Sequence, residues 1–245
     1  CVADVTAPTP TLITQDISYI PAMLRIFVEI ISNAIDNIYR SDEDKINMTK
    51  IKIDIDKETG ETSVWNDGTW IPLDKHEDTG LAIPHLIFGE LLTSDNYDDT
   101  RDRQGSGRNG YGAKLTNVFS TEFKIEIAVP TESGEGLEIY RQTWTEGMTK
   151  VTKATVTKRK TGKPYTRVTY TPDFAYFGIT EYSEDIISLY YRYIYDSAMI
   201  AGCSKVAVWL DGKKIPISNL KEYAKLFTDS DELLEMKTCN STVVL

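Results

Sequence analysis

Four glycines fall within the eight residues Gly105-Ser106-Gly107-Arg108-Asn109-Gly110-Tyr111-Gly112, and the run opens onto Ala113-Lys114-Leu115-Thr116-Asn117-Val118-Phe119. This pattern predicts a loop entering a helix. Glycines let several backbone N–H groups converge on one anion, and a helix N-terminus favours negative charge. Lys114, just inside the predicted helix, adds a mobile cation, so the chemistry implied is a cradle for a polyphosphate. Glycine-rich loops also arise for conformational reasons alone. The P-loop spacing Gly-x-x-x-x-Gly-Lys-Ser/Thr is absent, because Gly162-Lys163 and Gly212-Lys213 lack both the upstream glycine and the following hydroxyl.

A second group of residues lies upstream. Pro21 to Ile38 reads as one amphipathic helix whose apolar positions are Met23, Ile26, Phe27, Ile30, Ile31, Ala34 and Ile38. Its other face carries Glu29, Asn33, Asp36 and Asn37, spaced so that they project side by side. Oxygen donors of this kind suit a hard cation such as Mg²⁺ that shares phosphate oxygens. A carboxylate one turn away can deprotonate a water for attack on a phosphoryl group. The same face also reads as an ordinary polar surface with capping amides. A third element is a hairpin, Ile51–Asp56 and Thr62–Asn66, whose second strand ends at Asn66-Asp67-Gly68. A carboxylate there can accept a hydrogen bond from an exocyclic amine, although Asx-Gly is also a common turn.

Together these elements resemble the ATP-binding motifs of the GHKL ATPases, the superfamily of gyrase, the large heat-shock chaperones, histidine kinases and MutL. Glu29-Ile30-Ile31-Ser32-Asn33-Ala34-Ile35-Asp36 is similar to the Glu-x-x-x-Asn-Ala-x-Asp helix motif. Asn66-Asp67-Gly68-Thr69-Trp70-Ile71-Pro72 resembles the Asp-x-Gly-x-Gly turn, with Trp70 in place of the second glycine. The Gly105–Lys114 loop resembles the phosphate lid. Within the superfamily the likeness sharpens to the ATPase domain of eukaryotic-type (type IIA) DNA topoisomerase II. It rests on Leu86 to Asp99 and on Gly107 to Ser120, and is weakest between about 130 and 175.

The resemblance implies roles for individual residues. Glu29 would be the general base, Asn33 the magnesium ligand, and Asn37 a further polar contact at the phosphates. Asp67, with Gly68, takes the adenine-reading position. Ser94, Asp95 and Asn96 fall where ribose and phosphate are contacted, with Asp95 where a second hydroxyl residue is usual. Gly107, Arg108, Asn109, Gly110, Tyr111, Gly112, Ala113 and Lys114 would form the phosphate cradle, Lys114 acting in catalysis as well.

The remaining composition bounds the reading. At 245 residues and 41% hydrophobic content, the chain can bury a full core. No apolar run approaches the roughly 18 residues of a membrane span. Cys1, Cys203 and Cys239 are odd in number and far apart, which favours a reducing compartment. His76 and His85 stand alone and read as packing or surface residues. A duplex-binding surface is usually basic. The net charge of −10, with runs such as Asp42-Glu43-Asp44, therefore puts the main DNA-holding surfaces elsewhere in the enzyme. Lys153, Lys158, Arg159, Lys160, Lys163 and Arg167 crowd a predicted hairpin that reads as a solvated turn or as a transient contact with a passing duplex.

The positioning elements follow from pattern. A helix is expected over 83–92, a lid over 93–112, and antiparallel strands near 122–129, 137–144, 150–158 and 165–171. A second long helix is expected over 181–200, then strands over 206–210 and 214–217 and a helix over 220–227. The fold class expected is α+β, a two-layer GHKL (Bergerat) sandwich with helices on a mixed, mostly antiparallel sheet, plus the beginning of a transducer domain. Residues 1–203 would be the ATP-binding domain and 204–245 the incomplete transducer, so the chain reads as a fragment. The function implied is Mg²⁺-dependent ATP binding and hydrolysis that closes a dimeric N-terminal gate during double-strand passage. The partners would be ATP, a second copy of the chain and double-stranded DNA held by the rest of the enzyme, with no membrane. The location would be intracellular: nuclear in a cell, or the host cell for a viral enzyme. Two other readings remain, an ATP-binding dimerisation module without turnover and another GHKL protein such as a histidine kinase.

Overall fold

The computed structural model describes residues 1–90, 111–228, 235–237 and 242–244. In chain order these form β1 (Val2–Ala3), β2 (Leu12–Ile13), α1 (Pro21–Glu43), β3 (Lys50–Ile55), β4 (Thr62–Asn66), α2 (Ile83–Gly89) and α3 (Gly112–Val118). There follow β5 (Ser120–Pro130), β6 (Leu137–Thr145), β7 (Lys150–Val151), β8 (Thr155–Arg159), β9 (Tyr165–Pro172) and α4 (Glu184–Cys203). The last elements are β10 (Ala207–Leu210), β11 (Lys213–Lys214), α5 (Leu220–Ala224), β12 (Glu235–Lys237) and β13 (Thr242–Val244).

One nine-stranded sheet organises the molecule, in the order β11-β10-β3-β4-β9-β5-β6-β7, with β8 also paired to β6. Every pairing in it is antiparallel except that of β10 with β3. The period of two in β3 explains why one face is helix-covered: Ile51, Ile53 and Ile55 are buried while Lys50, Lys52 and Asp54 are exposed. Against that buried face lies α1, which Pro21 opens and whose apolar stripe is the one legible in the sequence. Helix α4 packs beside it, Phe27 stacking on Tyr190 with ring centroids 4.0 Å apart while the Tyr190 hydroxyl donates to the Met23 carbonyl. The fold is therefore α+β, helices over one face of a mixed, mostly antiparallel sheet.

Several boundaries differ from expectation for visible reasons. Helix α4 begins at Glu184 because the Ser183 hydroxyl caps it, accepting from the Ile186 N–H. The single strand expected over 150–158 is two, β7 and β8. Thr152 supplies its hydroxyl to the Thr143 N–H in place of a backbone carbonyl, which interrupts the ladder on β6. The expected division after residue 203 does not fall at a break in the sheet. Instead β10 and β11 continue it beside β3, and Val206, Val208 and Leu210 belong to the main core. Alternation in sequence marks a strand but not its partner.

Candidate functional site

The polar face of α1 runs between two loops. At its C-terminal end, Asn37 is buried and its amide donates to the Asn66 side-chain oxygen (2.7 Å) and the Thr69 carbonyl (2.9 Å). Asn66 also accepts from the Gly68 N–H (3.3 Å). Ser41 Oγ accepts from the Thr69 N–H (2.8 Å), and the Thr69 hydroxyl donates to Asp44 (2.8 Å). The turn after β4 is thus sewn to the last turns of α1. Gly68 is favoured by space rather than by φ: a Cβ there would sit 2.5 Å from Ser41 Oγ and 2.6 Å from Asn37 Nδ2, so those side chains would have to shift.

Asp67 lies inside this turn and is 7% exposed. Its Oδ1 accepts from the backbone N–H groups of Thr49 (2.8 Å) and Lys50 (2.7 Å), and its Oδ2 accepts from the Thr49 hydroxyl (2.5 Å). Each carboxylate oxygen has about two lone-pair sites, so Oδ2 retains capacity for one further donor. Across the ladder from Asn66 stands Thr166 of β9. Its hydroxyl is buried and has no hydrogen-bond partner among the described residues. An orphaned hydroxyl beside a buried carboxylate turn is the sort of group a ligand satisfies.

At the other end of the face, Glu29 forms an ion pair with Arg25 one turn earlier. Helix α3 docks here: the Thr116 hydroxyl donates to the Ile26 carbonyl (2.9 Å), and the Asn117 amide donates to the Phe88 carbonyl (3.0 Å), tying α3 to α1 and α2. Gly112, the first residue of α3, lies directly against Glu29. A Cβ at Gly112 would overlap the carboxylate and come within 2.7 Å of Glu29 Cδ. Among the described residues no side chain caps α3. Asn33 is exposed on the same stretch of α1, between Glu29 and Asn37.

Of the residues singled out from sequence, Glu29 and Gly112 are brought into contact, and Asn37, Asp67 and Gly68 into one turn. The two groups lie about 12 Å apart along α1, from eight residues at 1.5 Å each. Ala113 and Lys114 are buried in α3, and Tyr111 is half-buried at its start. Lys114 is 1% exposed, so the cation expected to be mobile is a buried side chain in α3. Ser94, Asp95, Asn96, Gly107, Arg108, Asn109 and Gly110 lie outside the described residues. Trp70, where the motif has glycine, is half-buried against the core. Sequence reasoning missed Thr49, Ser41 and Thr166. The first two are hydroxyls bonded to the motif's turn, and the third becomes visible only through strand register.

Residues 21–152 match the family model described as histidine kinase-, DNA gyrase B-, and HSP90-like ATPase. Among curated relatives, DNA topoisomerase 2 of Penicillium chrysogenum is 49% identical over 87% of this chain, which spans only 13% of that protein's length. The ATPase region of Saccharomyces cerevisiae topoisomerase II superposes with a TM-score of 0.87 at 35% identity, covering 99% of this chain and 62% of that one. The ATPase and transducer domains of DNA topoisomerase II from Balamuthia mandrillaris give 0.86 at 34% identity, covering 99% and 60%.

Proposed function

We propose, since this chain belongs to the histidine kinase-, DNA gyrase B- and HSP90-like ATPase family, that it binds ATP along the polar face of α1 and hydrolyses it. Asp67 reads the adenine amine and Thr166 gives its orphaned hydroxyl to the same ring. Glu29, at the far end, takes a proton from the attacking water. Asn37 fixes the turn that holds Asp67, and α3 brings the backbone of Gly112 and the charge of Lys114 toward the phosphates. The observation that carries this reading is the contact of Gly112 with Glu29. It joins the end of the glycine-rich segment to the acidic helix face so closely that a side chain at 112 would have to push the Glu29 carboxylate aside.

Mg²⁺ fits the residues present. Among the described residues no cluster of three or more His, Cys, Asp or Glu could hold a metal. The exposed amide oxygen of Asn33 is a single hard donor, and Mg²⁺ takes few protein ligands, keeping waters and phosphate oxygens for the rest. When bound, the ion supplies charge neutralisation at the phosphates.

The wider role follows from the relatives. We read the chain as part of a longer type IIA DNA topoisomerase, an intracellular enzyme in which ATP closes a gate between two copies and double-stranded DNA passes. Residues 204–245 are read as leading into a transducer unit, the sheet itself extending through Lys214. A second reading, ATP binding without turnover, is favoured by the ion pair that holds Glu29 to Arg25. Phosphate release measured beside a nucleotide titration separates the two. Glu29→Gln is expected to bind ATP normally while release falls on the order of 10²–10⁴-fold, the range for loss of a general base. Full turnover in that variant would remove Glu29 from the role.

A further inference from the structure

The face of the sheet turned away from the helices carries a row of side chains set by register. Lys214 is opposite Trp209, Trp209 opposite Lys52, and Lys52 opposite Trp65. Trp65 is opposite Arg167, Arg167 opposite Glu126, and Glu126 opposite Arg141. Because partners in register point to the same face, these seven residues form one transverse line over seven strands. At about 4.8 Å between strands the line is roughly 29 Å long, with a cation at every second strand, about 10 Å apart. Lys214, Lys52, Arg167 and Arg141 are all exposed. The row holds four cations and one carboxylate in a chain whose net charge is −10, so it runs against the charge of the whole.

The neighbours of these cations aim them. Lys52 Nζ sits 4.8 Å from the Trp65 ring centroid, and Lys50 Nζ 5.8 Å from that of Trp209. Arg141 Nε is 2.5 Å and Arg167 Nη1 3.6 Å from the carboxylate of Glu126. Each guanidinium has five N–H donors, so one shared carboxylate positions both heads and leaves most donors outward. Burial pushes the Glu126 carboxyl up, but the hydrogen bonds from Tyr165 and Arg141 and the charges of Arg141 and Arg167 outweigh it and hold it below the ordinary range.

We propose that this row is a sequence-independent docking line for the phosphate backbone of double-stranded DNA, placed on the opposite side of the sheet from the nucleotide site. A stiff duplex presents aligned phosphates over a comparable length, whereas an acidic polypeptide would have to be ordered first. A single strand would bind by stacking bases on free aromatic faces. Here the two tryptophans already carry ammonium groups over their rings, which leaves charge rather than stacking as the attraction. The line stands on the sheet face alone and does not depend on the ATP reading.

The test is fluorescence anisotropy of a labelled duplex of about one and a half to two turns titrated with the 245-residue chain between 50 and 200 mM salt. It compares wild type with Lys52→Gln/Lys214→Gln and with a control of equal charge change on other surfaces, Lys150→Gln/Lys205→Gln. Nucleotide affinity is measured on all three. The row variant is expected to lose duplex affinity on the order of tenfold at 0.1 M salt, with a salt slope shallower by about two. Its nucleotide affinity should be unchanged, and the control should bind the duplex within twofold of wild type. Equal weakening in the control, no salt-dependent binding by wild type, or displacement of the duplex by poly-glutamate at matched charge would each overturn the proposal. Duplex binding that survives in a chain unable to bind ATP would leave this proposal standing and sink the other.

Discussion

The two ends of α1's polar face are built differently. At the Asn37 end the polar groups answer one another: Asn37 to Asn66 and Thr69, Ser41 to Thr69, and Asp67 to three donors from Thr49 and Lys50. At the Glu29 end the carboxylate pairs with a neighbour on its own helix, and the opposing element is a glycine with no side chain to give. One end is fixed before any ligand arrives. The other is held by a contact that a ligand can displace. Recognition of a flat ring gains from preorganised, desolvated groups, whereas a general base must change partners during turnover.

Gly112→Ala should break the weaker end with the largest effect. Helix propensity alone favours alanine over glycine by roughly 1 kcal/mol. The contact says the reverse, because the new methyl would displace the Glu29 carboxylate. A base displaced by about 1 Å can lose on the order of 10²-fold in rate. Phosphate release should therefore fall by about that factor while the melting temperature moves little. Unchanged turnover would mean that Glu29 does not work where the structure holds it.

At the fixed end, Gly68→Ala should cost stability instead. Its methyl would crowd Ser41, Asn37 and the Met48 sulfur at 2.8 Å. Overpacking of this kind costs about 1–3 kcal/mol, or roughly 2–12 °C in melting temperature for a domain of this size. A thermal melt without nucleotide reads it directly. A melt indistinguishable from wild type would show the turn to be looser than its hydrogen bonds indicate.

Thr166→Val separates fold from function at the same end. The hydroxyl is buried without a partner among the described residues, so its removal should leave stability equal or slightly higher. Nucleotide affinity should fall about fivefold, the loss of one hydrogen bond of about 1 kcal/mol. Calorimetry beside a melt gives both numbers, and a variant that loses stability but keeps its affinity would make Thr166 structural.

How much of this was legible in the sequence divides along the same line. Helix α1 could be read from Met23, Ile26, Phe27, Ile30 and Ile31, and the β3–β4 hairpin from alternation, since both patterns are local. Glu29, Asn37 and Asp67 were singled out through family resemblance, and the structure bonds Asn37 to the turn that carries Asp67. Neither reading could see that α1 runs on to Glu43, because what prolongs it is Ser41 bonded to a turn 28 residues away. Thr166 was invisible for the same reason: it gains its meaning from Asn66, a partner fixed only by strand register. The strand after residue 203 could be read from alternation, but not its partner, because β10 joins β3 in parallel across more than 150 residues of sequence. What the sequence withholds is the set of contacts between distant segments.

The smallest effect tests the movable end most gently. Arg25 precedes Glu29 by four residues, the less favourable order for an ion pair on a helix, and its side chain is 68% exposed. Such a pair contributes only about 0.3–0.5 kcal/mol, so Arg25→Ala should leave the melting temperature nearly unchanged. If the pair holds Glu29 out of its working position, its loss should raise phosphate release by about twofold, the factor that energy represents, with ATP affinity unaltered. Added salt should raise wild-type turnover in the same direction and by less, because screening weakens an exposed pair without removing it. A large fall in turnover would reverse the interpretation: Arg25 would be steadying the base, and the two ends of α1 would both be preorganised.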